Sequence, residues 1–247
     1  MEISEYRLMK DVQDKHWLWQ GRKKIVQTVI EKHLAPARPL SIADVGCGYG
    51  CNIPTLQQYG KVTGLELNED AVAYVAEKFR GSAEVRQWKL PQKLERRFDL
   101  IVLIEVFEHI ENDAEAVEWF DQHLEKGGHV LITTPAHQWL WTQMDEVVHH
   151  YRRYNRVMMD KLFREKFEIV YFTYYNLLLF PLKLGLVIFD RLDRLLRRGE
   201  KKSFNEIPPG PVNDLCRWAV YQEAAWMARG LSLPFGSSIV MLAKKRA

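Results

Sequence analysis

The sequence predicts an α/β fold built on a seven-stranded, mostly parallel β-sheet, and two observations carry this prediction. Short apolar runs alternate along the chain with amphipathic stretches, which is typical of strands joined by helical crossovers. A glycine-rich turn also joins the first apolar run to a helix, and sheets of this class bind ligands at such turns. The length of 247 residues suits one domain of this kind.

The expected elements follow from apolar periodicity. Strands are expected at 40–45, 61–66, 84–88, 99–104, 128–133, 168–174 and 237–242. Helices are expected at 6–33, 52–58, 69–78, 114–124, 157–167, 182–198 and 212–228. We therefore expect one domain in four parts, which are a helical cap (1–39), a ligand-binding core (40–175), a helical lid insertion (176–235) and a final strand with its tail (236–247).

Composition narrows the classes of function and the compartment. The formal charge of +3 is small, so nucleic acid is not an expected partner. Three cysteines do not form a disulfide framework, and the N-terminus lacks an apolar stretch of the signal-peptide type, so we expect a cytoplasmic protein. The most apolar segment, 177–189, contains Pro181, Lys183 and Gly185 and is too short to span a membrane.

The segment 177–198 is apolar first and basic afterwards. This pattern suits a lid that packs its apolar face on the domain. It also suits a helix at a membrane interface, in contact with anionic lipid at the inner membrane face. The two interpretations are compatible with each other, and the sequence leaves both open. The oligomeric state is not predicted.

The glycine turn is the strongest local signal. Asp44 ends the first strand, and Gly46, Gly48 and Gly50 follow it with the spacing G-x-G-x-G. Glycines allow a sharp turn and a close approach of a ligand to the backbone. The next strand ends at Glu66, whose carboxylate can accept the hydrogen bonds of two ribose hydroxyl groups.

At these residues the chain resembles the class I S-adenosylmethionine-dependent methyltransferases. Residues 44–50 resemble the first motif of that family, 98–109 its fourth-strand motif, and 124–132 the turn and fifth strand that follow. The resemblance implies a Rossmann-like sheet whose last strand is antiparallel. It also implies cofactor contacts at Asp44, Gly46, Cys47, Gly48, Glu66, Leu67, Gln87, Trp88, Ile104 and Glu105.

Two parts of the implied cofactor site, the end of the third strand and the N-terminal helix, match the family pattern less closely. At the end of the third strand the family often has an acidic residue, whereas this chain has Gln87 and Trp88, which can hydrogen-bond to and stack on an adenine. Residues 16–22 resemble a subgroup in which a lid closes on the cofactor, with Arg22 pairing the cofactor carboxylate. A solvated Arg22 beside packing tryptophans is the alternative.

The pattern E-x-x-E-H after the fourth strand suggests a metal site. Glu105, Glu108 and His109 can share one face of a turn, and carboxylates with an imidazole can hold Mg²⁺ or another divalent cation. His150 is the expected fourth ligand, with His149 as its alternative. The set resembles the metal-assisted O-methyltransferases of small-RNA ends and of ubiquinone synthesis. In many other family members, however, a histidine here is structural or a base.

Methyl transfer needs alignment and removal of a proton. His137, His109 and His150 are the expected catalytic histidines, since imidazole titrates near neutral pH. The expected acceptor is a hydroxyl oxygen of a small or lipid-linked molecule. Segments 150–154, 175–181 and 233–238 resemble bacterial methyltransferases associated with cell-surface glycan and lipid synthesis. The alternatives are metal-free N- or C-methylation, a non-catalytic S-adenosylmethionine-binding scaffold, and a nicotinamide-dependent oxidoreductase.

Overall fold

The computed structural model describes Lys10, residues 12–196 and residues 207–246. Its strands form one seven-stranded sheet in the order β3-β2-β1-β4-β5-β7-β6. Strand β7 runs antiparallel to both of its neighbours, β5 and β6, and the other pairings are parallel. The strands are β1 Leu40–Val45, β2 Gly60–Glu66, β3 Glu84–Gln87, β4 Phe98–Ile104, β5 Leu124–Pro135, β6 Phe167–Tyr175 and β7 Ser238–Lys245. The expected Rossmann-like fold is confirmed.

The helices lie between the strands and begin at recognisable caps. The side chains of Asn68, Asn112 and Asn155 each accept a hydrogen bond from a backbone N–H in the first turn of the helix that follows. The helices of the described part are α1 Trp17–Val29, α2 Ile53–Leu56, α3 Glu69–Lys78, α4 Asp113–His123, α5 Gln143–Val147, α6 Arg156–Phe163, α7 Phe180–Leu195 and α8 Gly210–Ala228.

Two apolar layers bury the two faces of the sheet. On one face α4 and α6 cover the strands with aromatic side chains such as Phe120 and Phe163. On the other face α1 and α8 pack together, with Val29 and Val220 buried in the same cluster. Gly21 allows this close packing, because a Cβ there would lie 2.9 Å from a methyl carbon of Val220. The layer of α1 and α8 thereby reaches the carboxyl edge of the sheet.

The observed helices differ from the expected ones at several of their ends and by one additional helix. Helix α1 begins at Trp17, where His16 accepts a hydrogen bond of 3.1 Å from the backbone N–H of Leu18. Helix α5 was not predicted, although the pair Thr142 and Asp145 forms a capping box at its start. Residues 1–9 of the expected first helix, with residue 11, and residues 197–198 of the expected lid helix lie outside the described residues.

Helix α7 packs on the domain through the polar side of its surface. Val187 is its one buried residue within the described range. Beside Val187, Asp190 accepts a hydrogen bond of 3.0 Å from the backbone N–H of Gln143, and Arg194 pairs with Glu146 at 2.9 Å. The opposite side is apolar and exposed. Among the described helices, none combines the length and the apolar character needed to cross a membrane.

Candidate functional site

A cavity of about 520 Å³ lies at the carboxyl ends of the central strands. Its walls come from the glycine turn after β1, the segments after β4 and β5, helix α1, and the beginnings of α7 and α8. The volume falls within the ~300–1,000 Å³ that is usual for small-molecule sites. The parallel topology places the cavity there, because consecutive parallel strands deliver their carboxyl ends to the same edge.

The glycine turn is held in place by Glu66. Gly46 and Gly48 have φ angles of 69° and 53°, and the backbone of both lines the cavity. One Glu66 oxygen accepts a 2.8 Å hydrogen bond from the N–H of Gly48, and the other accepts bonds of 2.8 and 2.9 Å from Leu67 and Asn68. Three of the four acceptor sites of the carboxylate are therefore used within the chain. One site remains for a hydroxyl donor, and a second ribose bond requires Glu66 to turn.

Asp44 lies beneath the turn and has an unsatisfied oxygen. Its Oδ2 is buried and accepts no hydrogen bond from any described residue. Burial, with a contribution from the charge of Glu66, raises the pKa of Asp44 to about 7. A buried acceptor without a partner is costly. Asp44 is buried and is not among the residues that line the cavity, so the structure does not place the expected cofactor contact of Asp44 at the cavity surface.

The three residues expected around an adenine lie outside the walls of the cavity. Leu67 is 58% exposed, and Gln87 donates a 3.0 Å hydrogen bond to Glu69 on the surface. Trp88 is buried in the core, where its ring lies 4.7 Å from that of Trp119, and its indole N–H bonds to a backbone oxygen. The faces of Trp88 thus pack on protein, because burying this large ring against Trp119 stabilises the core. Trp88 therefore presents no face to the cavity, and this packing does not fit the expected stacking of Trp88 on a base.

Arg22 and Glu105 form an ion pair in the wall of the cavity. The Nη2 atom of Arg22 donates a 2.7 Å hydrogen bond to Oε2 of Glu105. The other oxygen of Glu105 accepts bonds from Thr133 and Tyr175, at 3.0 and 3.3 Å. Three of the four acceptor sites of Glu105 are therefore used, and Glu105 is not part of the group formed by the other expected metal ligands. Arg22 lies in the expected wall, with its Nε buried and without a partner among the described residues.

Glu108, His109 and His150 come together as a potential metal centre. One ligand atom from each lies within 4.8 Å of the others. The short 3₁₀ turn Phe107–His109 after β4 presents the first two, and Ile104, also in the wall, ends the strand before them. Oε2 of Glu108 accepts a 3.0 Å bond from Thr134, whereas Oε1 is buried and without a partner among the described residues. That orphaned oxygen is available to a cation.

Asp145 determines which nitrogen of His150 faces the cluster. Its Oδ1 lies 2.8 Å from Nδ1 of His150, and two further bonds of 2.8 and 2.9 Å tie it to Arg153. Burial opposes ionisation, but hydrogen bonds from His150 and Arg153 hold the pKa of Asp145 well below its usual range. The ionised carboxylate can only accept, so Nδ1 carries the proton. Nε2 therefore is the nitrogen that faces the cluster, 3.7 Å from Oε1 of Glu108.

The other expected histidines differ in their surroundings. Burial and the neighbouring His150 lower the pKa of His109 to about 3, so this imidazole is neutral near pH 7. His137 lies outside the walls of the cavity, with its ring between those of Tyr174 and Phe235 at 5.0 and 4.8 Å. The structure thus gives His137 a packing role, because its ring stacks on neighbouring aromatic rings. His149 lies outside the three-residue cluster.

Sequence reasoning missed Asp145, Asn176 and Lys183, which all line the cavity. The capping pattern T-x-x-D marks Asp145 as the start of a helix but does not announce its bond to His150. Asn176 has a φ angle of 62°, a conformation that asparagine tolerates better than most residues. No pattern in the sequence marks Lys183, which looks like one polar residue within an apolar run.

A family model described as "Methyltransferase domain" matches residues 18–168 of the chain. A dTDP-3-amino-3,4,6-trideoxy-alpha-D-glucopyranose N,N-dimethyltransferase of Streptomyces venezuelae is 25% identical over 130 residues, which are 49% of this chain and 55% of that protein. A ubiquinone biosynthesis O-methyltransferase of Alkalilimnicola ehrlichii is 30% identical over 100 residues, which are 38% of this chain and 40% of that protein. The chain thus spans about half the length of the curated relatives it matches.

Solved structures share the fold over nearly the whole chain. An S-adenosylmethionine-dependent methyltransferase from Mesorhizobium loti matches with a TM-score of 0.59 and 16% identity, covering 94% of this chain and 99% of that chain. The N-methyltransferase NodS from Bradyrhizobium japonicum, solved with S-adenosyl-L-homocysteine, matches with a TM-score of 0.53 and 12% identity, covering 91% and 86%. At these identities the likeness concerns the fold alone.

Proposed function

The chain belongs to the methyltransferase domain family, and we propose that it transfers a methyl group from S-adenosylmethionine to a hydroxyl oxygen, assisted by a divalent cation. The observation that carries the proposal is the convergence of Glu108, His109 and His150 in the same cavity as the glycine turn. A cofactor at the turn and an acceptor at the cluster would then face each other.

The residues at the turn suit S-adenosylmethionine. The remaining acceptor site of Glu66 and the backbone of Gly46 and Gly48 lie in the wall of the cavity and offer hydrogen-bond partners for an ammonium group and a ribose. Cys47 lines the same wall, and burial raises the pKa of its thiol, so it contributes surface rather than charge. Arg22 has donors besides the Nη2 hydrogen that it gives to Glu105, among them its Nε, so it can pair the cofactor carboxylate while it stays bonded to Glu105.

The donor set of the cluster favours some cations over others. Two imidazoles and one carboxylate suit Zn²⁺, Mn²⁺, Fe²⁺ or Co²⁺ better than Mg²⁺, which prefers oxygen ligands. A cation held there would lower the pKa of an acceptor hydroxyl and orient its oxygen. In the transfer itself the oxygen bonds to the methyl carbon, the carbon–sulfur bond breaks with its electron pair staying on sulfur, and the hydroxyl proton is lost. The neutral imidazole of His109 holds a lone pair for either the cation or that proton.

The acceptor in this proposal is small or lipid-linked, and helix α7 makes peripheral contact with a membrane. The outward side of α7 carries Ile188, Phe189, Leu192 and Leu195, which are 51%, 55%, 53% and 78% exposed. An apolar helix surface of this kind, borne by a positively charged chain, suits the interface of an anionic membrane. The mouth of the cavity lies beside it, since Leu182 at the start of the same helix lines the wall.

The test is methyl transfer from S-adenosylmethionine with a tritiated methyl group, using panels of hydroxyl and amine acceptors in the presence of Mn²⁺. We expect label on hydroxyl acceptors, loss of transfer when a chelator removes the cation, and recovery when the cation is returned. Transfer to an amine that does not respond to chelation would favour metal-free N-methylation. Binding of S-adenosylhomocysteine without transfer to any acceptor would favour a non-catalytic scaffold.

A further inference from the structure

Among the residues that the structure describes, three cationic side chains line the cavity, and two of them already have an anionic partner. Arg22 is bonded to Glu105, and Arg153 is bonded to Asp145 through two nitrogens. Lys183 is different, because its ammonium group makes no hydrogen bond or ion pair with any described residue. It lies half-buried on the side of α7 that faces the domain.

The environment of Lys183 is unfavourable for an unpaired charge. Burial, followed by the positive charge of Arg153, lowers the pKa of Lys183 to about 8, although Asp145 and Asp190 act in the opposite direction. Lys183 still carries a proton near pH 7. A cation removed from water without a counter-ion is costly, and an anionic ligand group would offset that cost.

The surface around Lys183 is apolar on one side and polar on the other. Leu179, Leu182 and Leu186 line the cavity from α7, and Val212 lines it from α8. On the polar side Asn176 is 4% exposed, donates a 3.2 Å bond to Ser238, and keeps a buried Oδ1 with no partner among the described residues. A ligand that satisfies this surface has an anionic group, a hydrogen-bond donor and an apolar portion.

We propose that Lys183 binds the anionic group, a phosphate or a carboxylate, of an amphipathic acceptor whose apolar portion lies between α7 and α8. The donor group of that acceptor bonds to Asn176. The identification of this ligand as the methyl acceptor rests on the proposed function. The binding site itself does not, because it is argued from the surroundings of Lys183 and Asn176 alone. The proposed substrate class is therefore that of anionic amphipathic molecules. Membrane lipids and soluble phosphates with an apolar tail both belong to it.

The test is calorimetric titration of the protein, with and without S-adenosylhomocysteine, using n-decyl phosphate below its micellar concentration. n-Decanol and inorganic phosphate serve as separate probes of the apolar and anionic parts. We expect n-decyl phosphate to bind at least about tenfold more tightly than either. Lys183→Gln should weaken its binding about tenfold or more, because a charge-assisted contact is lost. Lys183→Arg should retain binding, and Lys161→Gln on the exposed surface of α6 is the matched control.

Several outcomes would overturn the assignment. Equal binding of n-decyl phosphate by Lys183→Gln and the unchanged protein would remove Lys183 from the site. If n-decanol binds as tightly as n-decyl phosphate, the anionic group does not contribute to binding. If inorganic phosphate binds as tightly as n-decyl phosphate, the ligand is a small soluble anion and not an amphipathic molecule. Thermal melting of Lys183→Gln checks that the variant is folded. If S-adenosylhomocysteine itself does not bind, the proposed function fails, while the titration without it still tests Lys183.

Discussion

The guanidinium of Arg22 lies 2.7 Å from the carboxylate of Glu105, and this pair separates Glu105 from Glu108, although the two acids lie only three residues apart. Glu105 has a φ angle of 55°, and its side chain bonds to Arg22, Thr133 and Tyr175. Glu108 instead has a free, buried oxygen within the cluster that it forms with two histidines. The two acids of one motif thus have different partners.

We therefore expect Glu108→Gln to weaken the binding of Co²⁺ at least about tenfold, since it removes the ligand carboxylate. Glu105→Gln should change the affinity by less than about twofold, because this amide can still bond to Arg22. Visible absorption of the bound Co²⁺ measures both affinities. Equal losses in the two variants would mean that Glu105 is a ligand and that its pairing with Arg22 is broken when metal binds.

The bond from His150 to Asp145 leads to a second prediction. Asp145→Asn removes the ionised acceptor that holds His150 in the Nδ1-protonated form, so Co²⁺ affinity should fall about 10- to 100-fold. The matched control is Asp193→Asn on α7, which should leave the affinity unchanged. Arg153 also loses its partner in Asp145→Asn, so a melting curve is needed to show that the variant is folded at the temperature of the titration. An unchanged affinity in folded Asp145→Asn would contradict the role of Asp145.

Asp44 gives a prediction about pH. Its pKa is raised from the ordinary carboxyl value of 3.8 to about 7 in the folded protein, by burial and then by Glu66. Between these values the folded state keeps a proton that the unfolded state releases. The free energy of unfolding therefore falls as the pH rises from about 4 to about 7 and is level above that.

Asp44→Asn removes this titration. Without cofactor, the stability of the variant relative to the unchanged protein should be greater at about pH 7.5 than at about pH 4.5, by on the order of 3 kcal/mol. Urea unfolding at the two pH values measures the difference. The control is Glu115→Gln, an exposed acid on α4. A stability difference that is the same at both pH values would mean that Asp44 ionises normally and has a partner.

The order of strands and helices was predictable from the sequence because apolar periodicity and the glycine turn act over short distances. Strand β1 was predicted at both ends, and β2 to within one residue. Strand β5 extends further than expected, at both of its ends. Residues 124–127 begin it although Gly127 and Gly128 lie there, because β4 offers a backbone partner to Leu124. Such pairings depend on the neighbouring strand and leave no mark on the local sequence.

The candidate site was predictable as a set of motifs but not as a set of contacts. The E-x-x-E-H pattern together with His150 indicated four metal ligands, and the structure brings three of them together. The pairing of Glu105 with Arg22 joins residues 83 positions apart, so no local pattern could announce it. The position of Trp88 after a strand end predicted a surface for stacking on an adenine. In the structure Trp88 is instead buried in the core, where it packs against Trp119.

Calorimetric titration of S-adenosylhomocysteine tests most directly whether the glycine turn and Glu66 bind S-adenosylmethionine. We expect binding in the micromolar range that is lost in Glu66→Ala, which removes both the ribose acceptor and the bond that holds Gly48. Glu69→Ala, an exposed acid at the start of α3, should bind like the unchanged protein. The absence of binding to the unchanged protein, or equal binding by Glu66→Ala, would contradict the account.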